Sequence, residues 1–595
     1  MLSKTNNRAK IRSKIASGFI FALFSLCFAG HPISIDGVFD DWDQVPITYS
    51  DAESDALGAD FSTLKISYDN EFIFIYFDFF QGEFLMQDWN EFHLYIDSDN
   101  NDSTGFYVNG IGAELKWNFG SRSGYAYLDN QQIEIYQNDL SLRIAPTITS
   151  SQFEIAISRN SFPLTDYESQ TVNNFRIFIS EFDLDGDFIP EEAGGILFSI
   201  VEDFVPQAEP ILIDRVNEDD IRLVSYNTWN EGILDSERQN QFKRILQALD
   251  PDVILLQEHS DWDQIDNIIQ SWFPNEVWHA SWTYGDLVVL SRFPIINDAF
   301  MNSERTMVAL LYTEDELGKN LLVFNSHLSC CDNNEDRQKQ VDQFAAEWRD
   351  WRINGLGPFE IDYGTPFVHV GDFNFVGYRQ QVETIRIGDI EDEAQYGNDF
   401  LPDWDSTAII DLFLRHNDIR MGYTWRKDAS SFNPGKLDYV FYSDATIDTG
   451  KHYILNTLCM DGSSLIDYGL QLNDTQEASD HLPLIFDISV DENLDIKGKH
   501  VVSEKSMLDY SYPNPFNAKI QIVLSLLNSS VFELSIIDLK GAKIRTLHKG
   551  KKSKGIYQFK WDGRDEIGNY VVSGIYFILI KTEQMRESQK IILIK

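Results

Sequence analysis

Six stretches of the chain finish on residues of the kind that handle phosphate or metal: Asn227, Glu258, His327, Asp372 with Asn374, Asp438, and Asp480 with His481. The most informative is Val368-His369-Val370-Gly371-Asp372-Phe373-Asn374-Phe375. An apolar strand entering Gly371 would present Asp372 and Asn374 on one face, with Phe373 and Phe375 turned into packing. A carboxylate beside an amide donor suits attack on phosphorus: one group aligns or deprotonates a nucleophile, the other holds a phosphoryl oxygen. Alone, the motif fits an ordinary Asp/Asn turn equally well. Asn227, Glu258, His327 and the Asp480-His481 loop have ordinary readings too, as turn, cap, rim and loop residues. Six such residues at successive strand ends are hard to reach by chance.

Residues so spaced need strands that end together. Ile221–Tyr226 delivers Asn227, Val253–Leu256 delivers Gln257 and Glu258, and Leu321–Phe324 delivers His327. Phe367–Val370 delivers Asp372 and Asn374, and Asp438 opens a further strand. Asp480 and His481 lie in a loop before the last one. Between them the periodicity predicts a helix over Glu237–Leu249, capped by Ser236, with Phe242, Ile245, Leu246 and Leu249 on one face. A second helix is expected near Glu335–Arg352. Sheets inside and helices outside make this an α/β domain over residues 221–490.

At 595 residues the chain exceeds one core, and about three domains are expected. The formal charge of −46 argues against tight non-specific adhesion to nucleic acid, yet leaves room for a nuclease whose cleft is made attractive by a bound cation. Residues 30–205 read as short alternating strands with Asp/Asn/Gly turns, hence a β-sandwich. Two acidic loops there, Asp97, Asp99, Asn101 and Asp102, and Asp183, Asp185, Asp187 and Glu191, offer oxygen ligands that suit structural Ca2+. A solvated acidic turn is the plain alternative for each. Residues 206–220 read as a linker, 491–510 as a second, and 511–595 as another β-sandwich.

The N-terminus carries Lys4, Arg8, Lys10, Arg12 and Lys14 before an apolar run from Ile15 to Phe28, too short to span a bilayer. With Cys27-Phe28-Ala29 as the cleavage site, residues 1–29 are expected to be a signal peptide, ahead of a membrane anchor or lipoprotein as alternatives. Cys330, Cys331 and Cys459 would remain, either with one bridge or all reduced. No Cys/His cluster suggests zinc.

The ordered motifs Ser225-Tyr226-Asn227, Leu256-Gln257-Glu258, Asn325-Ser326-His327-Leu328, Gly371-Asp372-Phe373-Asn374, Leu437-Asp438-Tyr439 and Ser479-Asp480-His481-Leu482-Pro483 resemble the endonuclease/exonuclease/phosphatase superfamily, which is DNase I-like. The resemblance implies a four-layer α/β sandwich, here flanked by two all-β sandwiches. It implies Glu258 as principal ligand of Mg2+ or Mn2+, with Asn227 and Asp480 nearby. By the same resemblance Asp372 serves the attacking water, Asn374 a non-bridging oxygen, His481 with Asp438 the scissile phosphate, and His327 the phosphate or leaving group. Either Asp372 or His481 would be the base. His327 stands where the exonuclease III-like repair enzymes usually carry tyrosine, which points away from that branch.

Ile35-Asp36-Gly37 with Asp41-Trp42 and the Tyr95–Gly105 loop resemble family-9-type carbohydrate-binding modules. Tyr512-Pro513-Asn514-Pro515-Phe516-Asn517, Val572–Tyr576 and Lys590–Lys595 resemble the C-terminal sorting domains of type IX secretion. The expected protein is a secreted or cell-surface endonuclease acting on extracellular nucleic acid, with glycan and outer-membrane secretion machinery as partners. The alternatives are a sphingomyelinase-like phosphodiesterase or a phosphatase, the former with an aromatic loop at Trp278, Trp282 and Tyr284, and a surface glycan-binding protein with an inactive middle domain.

Overall fold

The computed structural model describes residues 27–28 and 30–594, apart from 54–57, 129–130, 166–170, 183–185, 202–204, 261, 283–284, 491–507, 513–515, 517–518, 527–529, 539, 553–554 and 583–585. The expected signal peptide apart from Cys27–Phe28, with Asp183, Asp185, Tyr284 of the expected aromatic loop and nearly all of the second linker, therefore lies outside the described residues.

Residues 221–490 fold around two six-stranded sheets. In the first, Ile221–Asn227 pairs in parallel with Val253–Gln257 and antiparallel with Leu484–Ser489. In the second, Leu321–His327 pairs in parallel with Phe367–Asp372, which pairs antiparallel with Asp438–Tyr442. Strand side chains alternate between faces, and the cores divide accordingly. Leu223, Val253 and Leu255 share one core with Val323, Val368, Val370 and Val440 of the other sheet. On the outer face of the first sheet, Val224, Ile254 and Leu256 pack with Phe242, Ile245 and Ile265 of the helices Gln239–Leu249 and Trp262–Trp272. Phe324, Phe367 and Phe441 do the same beneath Asn334–Asn354 and Arg379–Ile387.

The first of these helices starts later than its pattern suggests. Ser236 is not its cap: Asp235 accepts from the Glu237 amide through its side chain and from Gln239 through its carbonyl, holding that turn outside the helix. The helix Trp262–Trp272 escaped the sequence reading.

The N-terminal module packs one sheet of eight strands and one of five around its own core. It also shares a core with the middle domain. Trp42, Phe74, Tyr76 and Ala156 from the module's side, and Leu412, Met421, Tyr423 and Leu482 from the other, belong to one buried cluster. Main chain closes the seam, with Ile35 donating to the Arg420 carbonyl at 3.0 Å, Gly422 to that of Ile35 at 2.8 Å, and Thr149 to that of Gly377 at 2.8 Å. Residues 206–220, expected as a linker, are packed as well: Ile213 is buried, and Arg415 and Arg420 donate to the carbonyls of Glu209, Pro206 and Gln207. The C-terminal module, a three-stranded and a four-stranded sheet, closes around Phe516, Ile522, Ile536, Trp561 and Ile578.

Candidate active site

Gly371 makes the site possible. Its φ of +134° and the 2.1 Å that a Cβ would leave to the Ser326 carbonyl oxygen admit no side chain, so only glycine lets the strand lie this close to its neighbour. The strand ends at Asp372. Asn374 does not continue it: at φ +52° it lies in the left-handed region, its amide donating to Asp372 Oδ1 at 3.0 Å. The Asp/Asn turn and the chemical reading thus coexist, and Asp372 and Asn374 still face one cleft. Phe373 and Phe375 are fully buried as expected, although the strand has already ended before them.

Asp372 is the hub. It is buried, and its Oδ2 accepts from Asn227 Nδ2 at 3.0 Å, with His481 Nε2 at 3.6 Å and His327 Nε2 at 3.7 Å. Burial pushes its carboxyl up, to about 6, against the pull of the His481 cation. His481 turns its other nitrogen to Asp438 Oδ2 at 2.8 Å. Burial would lower this imidazole, but Asp438 and Asp372 outweigh it and hold it at about 10. His327 is likewise raised against burial, chiefly by Asp286, whose Oδ2 lies 2.6 Å from Nδ1.

Sequence reasoning missed Asp286. It stands directly before Leu287–Ser291, whose first residue pairs with Gln257, so the rule of polar residues at strand ends would have found it had that strand been read. Asn325 and Gln257, both buried, bridge the two sheets behind the site at 2.7 Å.

Ligand atoms of Glu258, His327 and Asp372 lie within 4.8 Å of one another, as do those of Asp372, Asp438 and His481. Glu258 accepts from Asn227 Nδ2 at 3.2 Å and from the Asn230 amide at 2.8 Å. Convergent carboxylates with hard oxygens suit a divalent cation, and here they sit around a buried charge that invites one. Asn227 stands differently from the ligand role expected of it: its amide nitrogen faces both carboxylates, while its oxygen accepts from the Trp229 amide. Asp480 lines the same cleft but faces Lys427 Nζ at 3.6 Å and belongs to neither group. Asn374 Nδ2 donates to the Leu328 carbonyl at 3.1 Å, which leaves its second hydrogen for another acceptor.

The acidic loops of the first module sort differently from expectation. Asp97 and Asp99 converge with Glu114, an unforeseen partner, whereas Asn101 and Asp102 are exposed and spend their side-chain oxygens on Ser103. Burial pushes Glu114 up to about 7. Asp187 groups with Asp51 and Glu191. All three described cysteines beyond the N-terminus, Cys330, Cys331 and Cys459, are free.

The cleft holding these groups has a volume of about 970 Å³. Trp229 lines it on the middle domain, with Arg238 at 5.0 Å and Lys427 at 4.8 Å from its ring. Across it stand Gln87, Asp88 and Trp89 of the N-terminal module.

Residues 224–481 match the Endonuclease/Exonuclease/phosphatase family, and residues 517–585 match the FlgD Ig-like domain. No curated protein matches the chain. Similar solved structures include the human Nocturnin catalytic domain with bound sulfate anion, at 15% identity over 47% of this chain and 97% of that one, TM-score 0.30. D. rerio TDP2 complexed with single strand DNA product is 15% identical over 46% of this chain and 99% of that one, TM-score 0.30. Beta toxin from Staphylococcus aureus is 16% identical over 45% and 99%, TM-score 0.27. The family is divalent-metal-dependent. The middle of the chain, residues 224–481, is thus an Endonuclease/Exonuclease/phosphatase domain within flanking β modules, and the protein is an enzyme that hydrolyses phosphoric ester bonds.

Proposed function

We propose that the protein is an exported phosphodiesterase that cleaves nucleic acid outside the cell, its middle domain a four-layer α/β sandwich. One observation carries the mechanism: His481 has a carboxylate at each ring nitrogen, Asp438 at 2.8 Å and Asp372 at 3.6 Å. An imidazole so flanked is held as the cation. It has no lone pair for a proton, so the base role falls to Asp372. Asp372 takes the proton of the attacking water. His481 and the free hydrogen of Asn374 face the charge that gathers on the non-bridging oxygens as the phosphorane forms. His327, kept protonated by Asp286, gives its proton to the leaving oxygen.

Glu258 would hold Mg2+ or Mn2+, with Asp480 beside it and Asn227 joining if its amide turns over. The ion, when bound, neutralises charge on the phosphoryl group. A lipid substrate finds less support, since Trp278, which a membrane-facing loop would need exposed, is buried against Phe273.

Export rests on the basic, then apolar N-terminus, and mass spectrometry of the mature protein should find Gly30 first; a retained leader would contradict it. Sorting through the C-terminal module, and glycan retention by the first, rest on their sequence resemblances. Deleting 511–595 should trap the protein inside the cell envelope, and pull-down on insoluble glycans tests the other.

The function is tested on the full chain with bis(p-nitrophenyl) phosphate and plasmid DNA. Hydrolysis of both should need Mg2+ or Mn2+, stop with EDTA, and fall about 10²- to 10⁴-fold in kcat for Asp372→Asn and His481→Ala. Turnover of the small ester with intact DNA would refute the nucleic-acid reading alone; unchanged kcat in both variants would refute the mechanism.

A further inference from the structure

The cleft is completed by a loop that the catalytic domain does not own. Leu85, Gln87, Asp88 and Trp89 of the N-terminal sandwich line it together with Asp372 and His481. The loop is built rather than draped. Asn90 donates through Nδ2 to the carbonyls of Leu85, Met86 and Asp88 at 2.7, 2.9 and 3.0 Å, and accepts from the Phe92 amide at 3.0 Å. Arg122 donates to the Gln87 carbonyl at 2.7 Å and lies 4.1 Å over the ring of Phe432. Gln87 Oε1 accepts from the Asn433 amide at 3.0 Å. The loop is thereby fixed to the segment that begins at Trp425, which bridges to His481.

What this framework presents is Trp89. The indole is 61% exposed, although it is the largest apolar side chain in the loop. Its backbone lies at φ +55°, a region that bulky residues rarely adopt and that costs free energy to hold. Its ring neighbour is Tyr378 of the middle domain, at 6.1 Å and 38°, and the indole itself lines the cleft. Phe432 and Tyr378 are themselves each 40% exposed. A rigid, strained, solvent-facing tryptophan beside a phosphodiester site is a stacking surface. Among the described residues that line this cleft Arg305 is the one lysine or arginine, so backbone charge alone would hold a nucleic acid strand weakly.

We propose that Trp89 stacks on an unpaired base next to the scissile phosphate, so that the N-terminal sandwich is the enzyme's base-binding subsite and single-stranded nucleic acid its preferred substrate. This rests on the nucleic-acid reading of the same site and goes beyond it. A base within a duplex is already stacked on its neighbours and cannot reach the indole without being unpaired.

The test measures binding of a labelled single-stranded oligothymidylate to the full chain carrying His481→Ala, with and without Trp89→Ala, in Mg2+. Removing the ring should weaken binding about 5- to 150-fold, the range expected of one base–aromatic stack. Trp89→Asn should lose as much, although asparagine accepts the left-handed backbone, whereas Trp89→Phe should regain most of it. An oligomer of equal length with tetrahydrofuran units in place of bases should bind alike with and without Trp89. Unchanged affinity in Trp89→Ala, equal losses on the base-free oligomer, or equal affinity for the duplex would each overturn the proposal. Trp89-dependent binding of a strand that the wild-type protein never cleaves would instead sink the nuclease reading and leave the subsite standing.

Discussion

The two β modules meet the catalytic domain in opposite ways. The N-terminal sandwich shares a buried cluster with it, and that cluster runs from Ile33 and Trp42 through Leu223 and Val323 to Leu482. The C-terminal module closes its core with residues 516–593 alone. Both would be drawn as appendages from sequence. The first is instead part of the enzyme's body: its strands bury catalytic-domain surface and its loop completes the cleft. Sharing a core couples the stability of two modules, whereas separate cores let each unfold alone.

Cutting one tryptophan from each module should expose that difference most strongly. Trp42 and Trp561 are both buried, and truncating either to alanine should cost about 3–5 kcal/mol. Trp42 also donates through Nε1 to buried Glu154 at 2.9 Å. By calorimetry, Trp42→Ala should lower the transition of the sandwich and the catalytic domain together. Trp561→Ala should shift only the C-terminal transition. A sandwich that melts by itself in Trp42→Ala would break the comparison.

A smaller effect is expected at Asp286, which bears on the site but on neither module. Asp286→Asn removes the charge that keeps His327 protonated, and kcat should drop about 10- to 100-fold, as for other groups that orient an active-site imidazole. The rate should become more sensitive to rising pH, because His327 then loses its proton earlier. An unaltered pH profile would remove His327 from the acid role.

The smallest effects are those of pH on stability, and they should carry opposite signs in the two modules. In the seam, burial raises Asp36 to about 6 and raises Glu154 well above its ordinary value. Folded seam carboxyls then stay protonated where the unfolded chain would ionise them, so stability present below about pH 4 is lost as pH climbs through 6. In the C-terminal module, hydrogen bonds from Lys543 and Lys549 lower Glu533 to about 2. Its contribution is present above about pH 4.5 and lost as pH falls toward 2, and it is weak because the pair is at the surface. Melting curves between pH 3 and 8 should therefore move the two transitions in opposite directions; parallel shifts would contradict both assignments.

The strand-end residues were legible because each belongs to a short local motif whose apolar strand announces its own end. Their partners were less so. Asp286 serves His327 from 41 residues earlier, just ahead of another strand, and no local pattern links them. The seam did leave a trace. In Phe72-Ile73-Phe74-Ile75-Tyr76-Phe77 both alternating faces are apolar, and a strand apolar on both faces must be covered on both. Ile73, Ile75 and Phe77 fill the sandwich's own core while Phe74 and Tyr76 meet the catalytic domain. The 206–220 stretch was harder to place, since its Pro, Glu and Asp content conceals the buried Ile213. Trp89 could not have been singled out at all: its meaning comes from its exposure and backbone, which only the folded chain displays.

The most direct measurement is kcat/KM on bis(p-nitrophenyl) phosphate for two fragments, residues 30–490 and residues 206–490, each checked for cooperative unfolding. If the N-terminal sandwich is part of the enzyme, 30–490 matches the full chain, while 206–490 is unfolded or has lost the activity. A 206–490 fragment that folds and turns over the ester as fast as 30–490 would contradict that claim and return the sandwich to the status of an appendage.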